Sequence, residues 1–503
     1  MPVHKNKANT FRRNAEMNHG LFGIKPLEWL LCGIILVGCV TLHLTRFYYP
    51  LALPIEAGLS LISFATPISG LLYLSAAQVI PDAPGCPLPS AQMALLGFFL
   101  WQLARGKVEA LFSSGRPLLM TVAPFFVWNA GWAFVRGDRG WLAMILVFAI
   151  LTGCAAATLV QQSGRRLEAC LTVFLAGQAL AMCLFWILKL NLGEPVEAFN
   201  TEIYSSSLVE GARIGTARGN ANVLGPPMAL VLAGVIAFFF TRPLQFTRRG
   251  WILGLAGLIG IAAVLPPLIG SGSRGALVSV ACGLLFLLFA GGISPKMLSS
   301  LPVVLIGVLL IFGLGWNKLG LNQSWEEMGR RQEMQEEQLG SGAGNKLVAG
   351  RSLEWTAAVR GILDSPIIGG GHVEKLSYFG QEEFWLSHST YLDAGLVGGL
   401  PGMALFGWFV LKPLLELWRR RREGKIGWLL AVYAVSIISI GSTSAMQMKD
   451  FWILWGIAAA CFLPAVARVK TRRNRVARRR SNVRTKQATS NQPALAADSD
   501  VSA

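Results

Sequence analysis

Three groups of residues in this chain have types and spacings suited to chemistry on an anion. Arg213 and Arg218 stand in ARIGTARGNANVLG with Asn220 and Asn222, just ahead of an apolar run. Arg274 stands in IGSGSRGALVSV, at the turn between two apolar runs, among Ser271, Ser273 and several glycines. Guanidinium groups form paired hydrogen bonds to phosphate oxygens. Small residues let helices approach closely and leave backbone N–H groups open to an anion. The third group lies in the longest polar interval, Leu319 to His388. There Arg351, Glu354, Trp355 and Arg360 fall at helical spacing, and DSPIIGGGH then marks a helix end and a turn. Glu382 and Glu383 follow, and His388 arrives where hydrophobicity resumes. Histidine is the side chain best able to take a proton near neutral pH. Taken singly, each arginine also suits a solvated loop in which it snorkels at a helix end.

The elements that position these residues are apolar. Of 503 residues, 53% are hydrophobic and 14% are charged, and the mean hydropathy is +0.50. Such a balance does not suit a soluble protein. Apolar runs near the length of a membrane span recur along the chain. They are continuous rather than alternating, which excludes a β-barrel. Runs are expected near 27–44, 51–80, 91–104, 117–135, 140–160, 169–191, 223–240, 251–270, 275–291, 299–316, 390–411, 427–447 and 451–466. The 51–80 run is interrupted by Pro54 and by Thr66-Pro67, so it reads as one tilted span or two short ones. The expected fold is an all-α polytopic membrane protein of 12–14 transmembrane helices with one large, partly helical periplasmic loop.

The domain organisation follows. Residues 1–24 form a basic cytosolic arm, and 25–316 an N-terminal transmembrane region with external segments near 193–222 and 270–275. Residues 317–388 form the large periplasmic loop, 389–466 a C-terminal transmembrane region, and 467–503 a basic cytosolic tail of disordered composition. The formal charge is +18. Much of it sits in 412–425 and 468–486, beside apolar runs. This is the positive-inside pattern, with attraction to anionic membrane lipids; it argues against nucleic acid. It puts both termini inside and all three polar groups on the outer face. The charged start of the loop, WEEMGRRQEMQEEQLG, pairs Glu326 with Arg330 and Glu327 with Arg331 at i,i+4, as a solvated helix does. Most of the eight cysteines (among them Cys32, Cys39, Cys154, Cys183, Cys282 and Cys461) lie in apolar runs and no CxxC pair occurs, so neither a disulfide framework nor a zinc site is indicated.

In order and spacing, three strings resemble the O-antigen ligase and O-antigen polymerase superfamily of bacterial inner-membrane proteins. They are Arg213, Gly215, Asn220 and Asn222; then Ser271, Ser273, Arg274 and Gly275; then Arg351, Trp355, Pro366, Gly369 and Gly371, closing in HSTYLDAGLVGGLPG. The resemblance covers about 200–410. It implies a glycosyltransferase of the inner membrane, active on the periplasmic face, with no metal or nucleotide cofactor. The donor would be an undecaprenyl-diphosphate-linked glycan and the acceptor a hydroxyl on a lipid, saccharide or protein. Carried over by residue, Arg213, Arg274 and Arg351 hold the diphosphate and stabilise it as leaving group, and His388 orients or deprotonates the acceptor hydroxyl. Asn222, Ser273, Arg218, Glu382 and Glu383 are secondary candidates, the two glutamates as sharers of the base role. Two positions depart from the family pattern: Ser389 replaces the usual Asn after the histidine, and Ala221 replaces a proline between the asparagines.

A ligase and a polymerase of lipopolysaccharide or exopolysaccharide biosynthesis remain alternatives, since one diphosphate grip and one base serve both. From another class, a polysaccharide transporter or flippase would use cavity-facing arginines as a substrate path. No inverted repeat supports it by eye, and a transporter has little use for a long folded loop.

Overall fold

Long apolar runs broken only by proline, glycine and short polar turns leave the backbone one way to satisfy itself locally, the α-helix. The computed structural model describes residues 21–45, 49–79, 88–106, 108–192, 221–241, 248–271, 273–291, 302, 306, 349–370, 387, 389–442 and 449–462, and among them every regular element is helical. In chain order the helices are α1 (Pro26–Thr45), α2 (Tyr49–Ile62), α3 (Pro67–Ala76), α4 (Ser90–Ala104) and α5 (Val108–Val135). Next come α6 (Arg139–Met144), α7 (Gly153–Gln162), α8 (Leu167–Leu192), α9 (Ala221–Thr241), α10 (Arg248–Gly270) and α11 (Arg274–Gly291). The last four are α12 (Ala349–Asp364), α13 (Thr390–Arg419), α14 (Gly424–Ile440) and α15 (Lys449–Ala460). A π-helical stretch, Ile145–Thr152, joins α6 to α7. Among the described residues, Arg139–Gln162 and Thr390–Arg419 are long and apolar enough to cross a membrane, and the fully described apolar stretches within the other helices run 10–17 residues.

The 51–80 run forms two helices. Thr66 ends the first and caps the second: Ser69 N–H donates to Thr66 Oγ1 at 3.1 Å, and Thr66 N–H donates to Ser69 Oγ at 3.3 Å. With Pro67 at the first helical position, this is a capping box at a natural helix start. Pro54, by contrast, is accommodated within α2.

The 390–411 run, expected as one span, is broken. Gly399 has φ 66° and ψ −164°, a region open essentially to glycine alone, and it divides α13 into two helices. Pro401 is the cause on the sequence side. It has no N–H to return to the Val397 carbonyl, so that carbonyl needs another donor. Arg136, just past α5, supplies it: Nη2 donates to Val397 O, and Nη1 donates to Ile368 O at 2.8 Å and Gly369 O at 3.1 Å. Burial lowers the Arg136 pKa and the nearby Asp138 opposes that shift. Trp128 Nε1 donates to Gly398 O at 2.6 Å. On the far side of the break Leu400 N–H donates to Pro366 O at 2.7 Å. Thus the turn after α12 is seated in the break, and α5 holds both.

Helix ends sort into two faces. At one, Arg166 forms a forked ion pair with Glu28 (2.7 and 2.5 Å) and also donates to Gly23 O. Lys425 lies 3.6 Å from Glu168, and Arg420 donates to Cys461 O at 3.2 Å. Arg105 donates to Ala65 O, and Gln102 exchanges amide hydrogen bonds with Gln162. This face collects the segments the Lys/Arg bias assigns to the cytosol. The opposite face lies roughly 25 Å away along α14, at 1.5 Å of rise per residue.

Candidate functional site at the non-basic face

The second polar string folds as a tight helix start. Ser271 Oγ donates to Leu268 O at 2.7 Å and accepts the N–H of Ser273 at 3.2 Å. The N–H groups of Ala276 and Leu277 return to Ser273 O, so α11 begins at Arg274. Arg274 is partly exposed, while Ser271 and Ser273 are buried.

Glycines bring the neighbouring helices to this start. A Cβ on Gly225, near the beginning of α9, would stand 2.5 Å from Ser273 Cβ. A Cβ on Gly275 would run into Ser442, just past α14, at 2.9 Å from its Cβ. Gly441 in turn lies against Tyr391 in the first turn of α13, and the Tyr391 hydroxyl donates to Ile437 O at 3.4 Å. Three helix N-termini, those of α9, α11 and α13, are therefore gathered at one end of the bundle together with Arg274. Each carries about half a positive charge from its aligned peptide dipoles, and helix starts of this kind favour negative charge.

The start of α13 carries a buried polar knot. Ser387 N–H donates to Asp393 Oδ1 at 3.1 Å, and Ser387 Oγ donates to the same oxygen at 2.6 Å. Ser387 Oγ also lies 3.0 Å from Ser389 O and accepts the Ser389 N–H at 3.2 Å. Asp393 is fully buried. Sequence reasoning passed over this carboxylate, although a lone Asp in an apolar run is a signal in itself.

Of the residues singled out by sequence, Arg274 and Ser273 are in this site. Asn222 is the second residue of α9 and Arg351 the third of α12; both positions are described for the backbone alone. Arg213, Arg218, Glu382, Glu383 and His388 lie outside the described residues, as do Glu326–Arg330 and Glu327–Arg331. The helical spacing of Arg351, Glu354, Trp355 and Arg360 corresponds to α12, which ends before Ser365-Pro366. Below it, Ala358 and Ile362 pack on Leu396 and Leu392 of α13.

Residues 267–407 match the profile of a family described as O-antigen ligase. That stretch is therefore similar to the ligase domain of the O-antigen ligase and polymerase superfamily. The matched stretch runs from the turn before Arg274 to the second half of α13, so it contains Arg274, Arg351 and His388 but not Arg213 or Asn222. It supports a glycosyltransferase-like ligase or polymerase acting on lipid-linked saccharide in a membrane. No curated protein matches the chain.

Proposed function

We propose that the protein transfers a glycan from an undecaprenyl-diphosphate carrier to an acceptor hydroxyl at the periplasmic surface of the bacterial inner membrane. The observation that carries this is the meeting of Arg274 with the starts of α9, α11 and α13. A diphosphate leaving group needs dispersed positive charge, which oriented helix ends and guanidinium groups supply without reorganising during the reaction. Arg213 and Arg351 add to the grip from the two polar intervals. His388 takes the proton of the attacking hydroxyl, which bonds to the anomeric carbon as the carbon–oxygen bond to the diphosphate breaks.

A membrane setting is supported by the outward faces of the helices. Leu27, Leu30, Val37, Val127, Phe134, Leu255, Ile259 and Phe289 are exposed, a pattern that suits lipid and not water. Dividing 51–80 in two makes fourteen apolar segments, counting 299–316. An even number returns both basic termini to the cytosol, where the Glu28–Arg166 face lies.

The test is transfer from purified lipid-linked glycan in detergent, with and without chelator. Inserted Arg274→Ala and His388→Ala variants should lose transfer, and retention of full activity by both would overturn the assignment. In cells, loss of a ligase leaves full-length glycan on the carrier, whereas loss of a polymerase leaves single repeats on the acceptor.

A further inference from the structure

Helix α12 belongs to the polar interval, yet much of its apolar surface is uncovered. One stripe, Ala358 and Ile362, is buried against Leu396 of α13. Further round the helix, Val359 and Leu363 are 43% and 63% exposed, and just past its end Ile367 and Ile368 are 64% and 40% exposed. Thr356 lies on the same arc, while Arg360 and Asp364, both exposed, occupy the arc beyond. The helix thus has a wide apolar face half covered by α13, bounded by charge, which is the pattern of a helix lying in a membrane interface.

We propose that α12 lies in the plane of the membrane surface, with Val359, Leu363 and Ile367 set against the acyl chains of the leaflet at the Arg274 end. The proposal rests on the membrane reading above. What selects lipid as the occupant is continuity. Arg136 ties Ile368 and Gly369 to the end of α5, where Phe134 and Val135 are 74% and 70% exposed. Leu400, whose N–H is bonded to Pro366 O, begins the exposed row Leu400, Trp408, Leu411 and Leu415 along one stripe of α13. The uncovered side of α12 therefore joins two outward apolar stripes of the bundle, and a partner on α12 alone would leave those stripes unexplained. Arg360 and Asp364 then face the head groups and water. Because Arg351 is two helical turns before Val359, this placement keeps its backbone near the level of lipid-borne phosphates.

The experiment is photocrosslinking in vesicles of phosphatidylethanolamine and phosphatidylglycerol. Benzoylphenylalanine replaces single residues: Val359, Leu363 or Ile367 on the apolar arc, Arg360 or Asp364 on the polar arc, and Val127 or Leu411 on the bundle. Each protein is first shown to elute as the unsubstituted chain does. Lipid adducts are expected at Leu363 and Ile367 with a yield close to that at Val127 and Leu411, and several-fold lower at Arg360 and Asp364. Adducts at Val127 and Leu411 with none at Leu363 and Ile367, or crosslinks from Leu363 to protein instead, would overturn the placement of α12. Absence of adducts at Val127 and Leu411 as well would overturn the membrane reading together with it.

Discussion

The Ser387 hydroxyl lies 2.6 Å from a carboxylate oxygen of Asp393, six residues further along the chain, in the first turn of α13, and fully buried. The same oxygen takes the Ser387 N–H, and Ser387 Oγ also takes the Ser389 N–H. The backbone on either side of residue 388 is thereby tied to the first turns of α13. In the function proposed above residue 388 is the base, and tight placement of a base requires such support from neighbours.

Asp393→Ala should leave the Ser387 N–H without its acceptor in a buried site and turn the Ser387 hydroxyl to Ser389 O alone. The expected cost is about 1–3 kcal/mol of stability, read as a lower melting temperature in detergent, with a larger fall in glycan transfer than stability alone explains. Asp393→Asn keeps an oxygen at the acceptor position and should recover much of both. An Ala variant that melts and turns over as the parent does would show the knot to be dispensable.

The approach of α11 to α14 depends on Gly275. Its missing side chain leaves room for Ser442, and a methyl group there collides with the Ser442 hydroxyl and Cβ. Gly275→Ala should cost about 1–3 kcal/mol through overpacking and displace Arg274, the adjacent residue. Ser442→Gly removes the obstacle, so the double variant should regain stability. A double-mutant cycle measures this directly, and zero coupling between the two positions would refute the contact.

The break in α13 should be brittle. Gly399→Ala forces a side chain into backbone conformation it rarely adopts and brings a Cβ within 2.5 Å of Pro366 O and Ile367 O. Arg136→Lys retains the charge but loses the fork that spans three carbonyls. Both variants should speed hydrogen exchange in 366–370 and 393–400 while leaving α14 unchanged. Exchange in these segments equal to that of the unsubstituted chain would show that the clamp is not what holds them.

The sequence announces most breaks and hides what secures them. DSPIIGGG marks the end of α12 where it falls, because proline and glycine act locally. Thr66-Pro67 leaves one or two spans open; the deciding signal, Ser69 three residues after Thr66, completes a capping box that can be read only as a pair. GGLPG contains the α13 break in Gly399 and Pro401, but hydrophobicity continues across it, and a window sees a single span. Arg136 cannot be tied to that break by inspection, since its partners are carbonyls 232 to 261 residues away. For the site, Ser273, Arg274 and Gly275 were legible as a tight polar turn. That Gly225 and Ser442 close around them is a tertiary fact, invisible in any one string.

The basic face offers a test in which charge and burial compete. Glu28 is almost fully buried and is held by the fork of Arg166, with Lys25 N–H adding a bond at 2.9 Å. Arg166→Ala leaves that carboxylate buried without its cation, which should cost about 3–5 kcal/mol. Arg166→Lys supplies charge but only one direct contact, so it should fall between the parent and the Ala variant. Glu28→Gln in the Arg166→Ala background removes the uncompensated charge and should restore part of the loss. Thermal unfolding of the four proteins in detergent gives the ordering. If Arg166→Ala is no less stable than Arg166→Lys, the pair is a surface contact, not a tie between the start of α1 and the turn before α8.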